Sequence, residues 1–184
     1  MINAKPMTSF IAFAAALICF LYAFPGQGHV ASGTDSDAPV AFPKGYRKWV
    51  HVKSTVVTPH NAFFAKPPCV KPCVGGIFHF YANEKAMEGY RTGKFPDGAI
   101  IADDLHELKE APAGDDTMPE GALRVVGVMV KDSQLYKATG GWGFESFRPG
   151  NESTGALTAS DKAACFACHV SRKDSDFVFT EFHE

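Results

Sequence analysis

The chain has no basic stripe and no excess of positive charge. Eighteen Lys and Arg stand against twenty Asp and Glu, for a formal net charge of −2 at pH 7. Nothing here is built to track a phosphate backbone, so a nucleic-acid partner is excluded. Long hydrophobic runs are also scarce. Only residues 9–24, SFIAFAAALICFLYAF, approach the length that spans a bilayer. Cysteine is sparse, at five in 184 residues. No two Cys/His pairs share the spacing that would complete a zinc tetrahedron. What remains is an ordinary globular composition with one excess. Sixteen phenylalanines exceed what a chain of this length requires, and several are available as apolar walls for a large flat ligand.

The apolar run belongs to an N-terminal leader. Lys5 supplies a positive n-region, residues 9–24 an apolar h-region, and Pro25-Gly-Gln-Gly28 a break. The small residues Ala31, Ser32 and Gly33 follow. This is the pattern of a secretory signal peptide over residues 1–30, cleaved near 28–33. The expected location is therefore periplasmic or secreted. A retained membrane anchor is the alternative. Cys19 lies inside the run without the small residues that lead into a lipidation cysteine. The rest, residues 31–184, is about 155 residues long, enough for one domain with its own core.

Residues 165–169 read Cys-Phe-Ala-Cys-His. C-x-x-C-H is the attachment signature of a c-type haem. Its two thiols form thioethers with the haem vinyl groups, and the adjoining imidazole reaches the iron. Cys165 and Cys168 are thus the candidate haem thioethers and His169 the proximal iron ligand. With five cysteines and seven histidines in 184 residues, this pattern arises by accident about 0.005 times. Export suits the chemistry and leaves two cysteines, Cys69 and Cys73. In an oxidising compartment such a close pair is most simply a disulfide, here closing a short proline-rich loop. A redox-active pair and a metal clip are the alternatives. A second haem is excluded, because the spacing is one residue too long and Val74 stands where histidine is needed.

The middle of the chain alternates as a sheet does. Strands are predicted at Trp49–Val57, Ile77–Tyr81, Ala99–Ala102, Arg124–Lys131 and Trp142–Phe147. Asn83 caps a helix over Glu84–Thr92 that Gly93 ends. Residues 109–121 read as a loop, and Asp132 caps a helical turn ending at Gly140-Gly141. Ser160 is the expected cap of the helix that carries the haem cysteines, and Phe177–Thr180 a last extended piece. Five strands with scattered helices predict an α+β fold, mainly an antiparallel sheet, with the haem attached near the C-terminus.

Several of these stretches together resemble one family. They are Trp49–Ser54, Gly75–Asn83, Gly89–Gly98, Gly127–Ser133, Gly140–Phe144, the Cys165–His169 motif and Phe177–Thr180. In this order, over about residues 43–182, they are similar to the cytochrome P-460 family, which includes the cytochromes c′-beta. The resemblance implies a single covalent haem, a homodimer, and a five-coordinate iron with one open face. It implies ligands on that face that are small: nitric oxide, carbon monoxide or hydroxylamine. One branch of the family oxidises hydroxylamine and carries a lysine cross-linked to the haem, on the strand after the F-x-D-G turn. The other lacks the lysine and binds gases in an aromatic pocket.

By ungapped count from Gly98, the cross-linking lysine position falls on Asp103, which departs from both branches. A carboxylate over an open haem face accepts a proton from a bound N–H or O–H ligand. The competing reading is a solvated aspartate at a strand end, followed by another at Asp104. Phe63, Phe64 and Phe78, with Phe80, are candidates for a distal wall. His51, His60, His79 and His106 are candidate sixth ligands, though surface or core roles suit them better. Met87, Met118 and Met129 are candidate axial thioethers, and Lys53, Arg91 and Arg124 candidate propionate partners. The expected function is an exported mono-haem cytochrome that binds small nitrogen ligands such as nitric oxide, for detoxification, sensing or electron transfer. The alternatives are hydroxylamine oxidation and low-spin electron transfer with a sixth protein ligand. A redox partner protein is compatible with all three.

Overall fold

Strand-forming alternation is carried by β-branched and aromatic residues, and five such stretches become five strands. The computed structural model describes residues 38–61, 64 and 74–183. The chain divides into two units, Met1–Ser32 and Gly33–Glu184, and every described residue lies in the second. The expected leader, the Cys69/Cys73 pair and Phe63 lie outside the described residues. Among the described residues no helix is long and apolar enough to cross a membrane.

The elements are β1 (Val50–Val57), β2 (Gly76–Ala82), α1 (Glu84–Thr92), β3 (Ile100–Leu108), β4 (Glu120–Lys131), β5 (Trp142–Phe147) and α2 (Ala159–His169). The strands form one antiparallel sheet in the order β1-β2-β3-β4-β5. This is the mainly antiparallel α+β fold that the alternation predicts. Helix α1 has the bounds its local signals give. The Asn83 side chain accepts from the Ala86 N–H, and Gly93 ends the helix at φ 77°, a backbone conformation that glycine adopts without strain.

Three boundaries differ from expectation by more than one residue. Strand β3 does not stop at Ala102 but runs to Leu108, and β4 starts at Glu120 rather than Arg124. The polar residues that break the apolar pattern there find partners on other segments of the chain. Asp104 is bonded by Tyr46 and Arg47, and Glu107 by Arg124. The cap of α2 is Thr158, not Ser160. Thr158 and Asp161 bond each other's backbone N–H in a capping box, which satisfies two donors that a cap at Ser160 would leave open. Finally, Phe177–Thr180 joins no strand, and Phe177 itself has φ 67°.

The sheet has two unlike faces. On one, the cross-strand row Ala82–Ile101–Met129–Phe144 continues into a core with Met87, Phe95 and Trp142. Cys165 and Phe166 of α2 pack against this core. A smaller cluster of Phe64, Phe78, Leu105 and Val125 extends the same face. The other face carries Ala102, Val126, Val128 and Phe147, covered by Val40 and Tyr46 from the N-terminal segment. Leu105 is fully buried, and truncating such a side chain to Ala costs about 2–5 kcal/mol.

Candidate haem site

Helix α2 brings the motif together. Two cysteines three residues apart lie on one side of a helix, and His169 closes its last turn. The helix is held to β5 by a buried ion pair between Lys162 Nζ and Glu145 Oε2 at 3.2 Å. Glu145 Oε1 also accepts the N–H groups of Leu157 and Ser146, both at 2.9 Å. One carboxylate thus fixes the approach to α2 and the helix itself. Neither thiol is in a disulfide; Cys165 is half-buried and Cys168 exposed. Burial pushes the Cys165 thiol pKa up, reinforced by the negative charges of Asp161, Cys168, Asp103 and Glu145.

His169 is oriented from behind. Its Nδ1 lies 2.6 Å from the Phe177 carbonyl oxygen. A carbonyl only accepts, so Nδ1 carries the proton and Nε2 keeps its lone pair for a metal. The ring is flanked by Phe144 at 5.1 Å and Phe179 at 4.9 Å. Burial lowers the His169 pKa, against the opposing effect of the Phe177 bond, which favours the neutral imidazole. Two thiols, one oriented imidazole and aromatic walls from Phe144, Phe166 and Phe177 fit a haem held at Cys165, Cys168 and His169. This geometry agrees with a further finding. The family model for cytochrome P460 matches residues 43–180. The chain belongs to the cytochrome P460 family. It is therefore a haem-binding cytochrome. No curated protein matches the chain.

In this cytochrome, Asp103 stands in the middle of β3, not at a strand end, in the row Phe80–Asp103–Gly127–Ser146. Strand alternation puts it on the face of Ile101 and Leu105, and its charge is felt at Cys165. The residue is half-buried over its whole surface, but the protein crowds its carboxyl group. That crowding pushes its pKa up to about 7, helped by the Asp104 charge and opposed by a Gly127 backbone hydrogen bond. Asp104 points to the other face and is 1 % exposed, so neither aspartate is the solvated residue of the competing reading. Phe64 and Phe78 are buried together, and Phe78 stacks on Phe80 at 5.7 Å.

The histidines form a chain of their own across the opposite face. His51 Nε2 meets Ser54 Oγ at 3.0 Å, and Ser54 Oγ meets His79 Nδ1 at 2.8 Å. His79 Nε2 and His106 Nδ1 each reach Glu120 at 2.9 Å. Among the described residues no three His, Cys, Asp or Glu side chains are placed to hold a metal ion. His60 is exposed, Met118 is 58 % exposed, and Met87 is buried beneath α1. Met87 and Met129 both belong to the core on the haem face. Arg124 is bonded to Glu107, while Arg91 is exposed and Lys53 half-buried. Two surface clefts, of about 460 and 320 Å³, are lined by Arg124 and Arg148 and by Tyr46 and Arg47 respectively, and neither touches Cys165 or His169.

Sequence reading missed Lys162, Glu145, Asp176 and the Phe177 carbonyl. The first three are charged residues that read as surface, and a backbone carbonyl has no sequence identity. Only Thr158-x-x-Asp161 left a readable signal.

Proposed function

We propose that the chain carries one haem, attached covalently through Cys165 and Cys168 with His169 Nε2 as its only protein ligand, and binds small nitrogen ligands such as nitric oxide on the opposite side. The single observation that carries this reading is the His169 Nδ1–H bond to the Phe177 carbonyl, which commits the tautomer to metal ligation. When bound, the haem supplies an open coordination position and one-electron redox chemistry. The chain's own residues supply the rest. Phe144 and Phe179 hold the imidazole plane, and Phe166 and Phe177 exclude water beside it. The rival histidines are occupied elsewhere, since His51, His79 and His106 bond one another's partners on the far face, and the thioethers of Met87 and Met129 are packed in the apolar core. That distribution favours a five-coordinate centre over a low-spin electron carrier.

Hydroxylamine oxidation is kept as a second reading because of Asp103. It shares the face of Cys165, and a carboxyl group with a pKa near 7 both takes and returns a proton at neutral pH. The lysine of the cross-linked branch has no counterpart on β3, and Lys94 and Lys109, the nearest lysines in sequence, are exposed and lie outside that strand. The proposed setting is the periplasm or beyond, with the leader removed, as a homodimer that exchanges electrons with a partner protein.

The spectrum of the reduced holoprotein tests the proposal. A five-coordinate ferrous spectrum that changes with carbon monoxide is the expected result. A sharp low-spin spectrum indifferent to carbon monoxide overturns it. A haem-peptide mass with a third covalent link, together with hydroxylamine turnover in the presence of an electron acceptor, moves the assignment to the enzyme. Asp103→Ala with unchanged turnover and ligand kinetics removes Asp103 from either role.

A further inference from the structure

We propose that the buried Lys131–Asp176 ion pair is a positioning device for His169: it fixes the Asp176–Phe177 backbone so that the Phe177 carbonyl grips the Nδ1 proton. The grip sets how strongly the imidazole donates to a haem iron. The proposal rests on the reading of His169 as the axial ligand.

Asp176 and Phe177 have φ of 52° and 67°, and are the only non-glycine residues with positive φ among those described. Two successive left-handed residues cost roughly 1–2 kcal/mol each, so they persist only where the surroundings impose them. Here the surroundings do so from three directions. Lys131 Nζ, at the end of β4, reaches Asp176 Oδ1 at 2.8 Å. The Phe95 N–H, from the turn after α1, reaches Oδ2 at 2.9 Å. The Trp142 indole N–H, from β5, reaches the Asp176 carbonyl oxygen at 2.8 Å. Lys131 is itself tied to the Gly140 carbonyl at 3.0 Å and lies 5.0 Å from the Trp142 ring centre. The Phe177 ring rests on Gly140, where any Cβ would collide with it.

Every arm of this clamp converges on Asp176, and the carbonyl of the next residue faces the histidine at 2.6 Å. A buried ion pair is a poor way to add stability, because desolvating both charges consumes most of their attraction. An apolar pair would anchor the segment as well. What the charged pair adds is direction, since an Asp carboxylate bonded on both oxygens cannot rotate. A firmly held acceptor on Nδ1 raises the basicity of Nε2.

The test uses the haem-loaded protein. Lys131→Met/Asp176→Asn removes both charges at once, and Trp142→Phe removes the indole donor while leaving a smaller aromatic ring in the buried site. Glu107→Gln, which breaks the remote pair with Arg124, is the control. In both clamp variants the ferrous iron–histidine stretching band should move to lower frequency and the midpoint potential to more positive values, with neither moved in the control. If the double variant fails to fold, Trp142→Phe alone carries the test. Variants that load haem, melt earlier and keep the wild-type band and potential reduce the clamp to a structural bolt and overturn the proposal. A wild-type protein with haem but no iron–histidine band overturns the reading of a five-coordinate iron held by His169 alone, and this inference with it.

Discussion

The carboxyl group of Asp103 lies across the backbone of Gly127, its register partner on β4: a Cβ added at Gly127 would stand 2.6 Å from Oδ1 and 2.8 Å from Oδ2. Glycine at this point leaves the carboxylate its niche between Phe80 and β4. Gly127→Ala therefore displaces the Asp103 side chain. The stability change should stay within about 1 kcal/mol, because the short side chain swings aside and alanine regains some of glycine's backbone cost in a strand. The ionisation should change more. Burial is the leading cause of the raised Asp103 pKa, so a displaced, better-solvated carboxyl should titrate lower than about 7. Carbon-13 NMR of the labelled Asp103 carboxyl checks this, and an unmoved midpoint would contradict the niche.

Asp103 also makes stability depend on pH with an unusual sign. Its ordinary value of 3.8 is raised to about 7 by burial and by the Asp104 charge. Between these values the folded state holds a proton that the unfolded state has released. Its contribution is therefore fully present below about pH 3.8 and lost as pH rises through about 7. Asp103→Asn removes the titration. The variant should gain stability over the parent above about pH 7, and the gain should fade toward about pH 4. Urea unfolding at both ends measures it. A difference that stays constant with pH would show that Asp103 ionises normally.

Legibility in the sequence followed the range of each interaction. Helix α1 was readable because Asn83 and Gly93 act within a few residues. Strand β5 was readable because Trp142–Phe147 is a short β-rich run between turns. The second half of β3 was not, since Asp103, Asp104 and Glu107 are rescued by Gly127, Tyr46, Arg47 and Arg124, all distant in the chain. The haem motif is a covalent and strictly local pattern, so Cys165, Cys168 and His169 stood out at once. What orients His169 is a backbone carbonyl beyond the next turn, made available by a left-handed pair whose second member, Phe177, is a residue type that rarely adopts that conformation.

Thr158 and Ser160 separate local reading from observed geometry. Thr158 Oγ1 accepts the Asp161 N–H at 3.2 Å, and Asp161 Oδ2 accepts the Thr158 N–H at 2.9 Å. Thr158→Ala should cost about 1 kcal/mol, read as a lower melting temperature with haem attachment unchanged. Ser160 lies inside the first turn and is exposed. Ser160→Ala should be neutral or slightly stabilising, because alanine is the better helix former. The reverse ranking would return the cap to Ser160.

The Lys162–Glu145 pair ties the haem helix to the sheet, and both residues are buried, at 7 % and 6 % exposure. Lys162→Met leaves the Glu145 carboxylate in place without its cation. Two backbone N–H donors remain on Oε1, but Oε2 loses its partner. Removing one member of a buried pair costs about 3–5 kcal/mol, so urea unfolding should show a large drop in midpoint. The double variant Lys162→Met/Glu145→Gln carries no net charge, and its amide oxygen still accepts from Leu157 and Ser146. It should recover much of the loss, since the penalty comes from the stranded charge and not from the missing bond. If the double variant is as unstable as the single one, the lysine acts through its packed aliphatic stem instead, and the docking of α2 on β5 is apolar in origin.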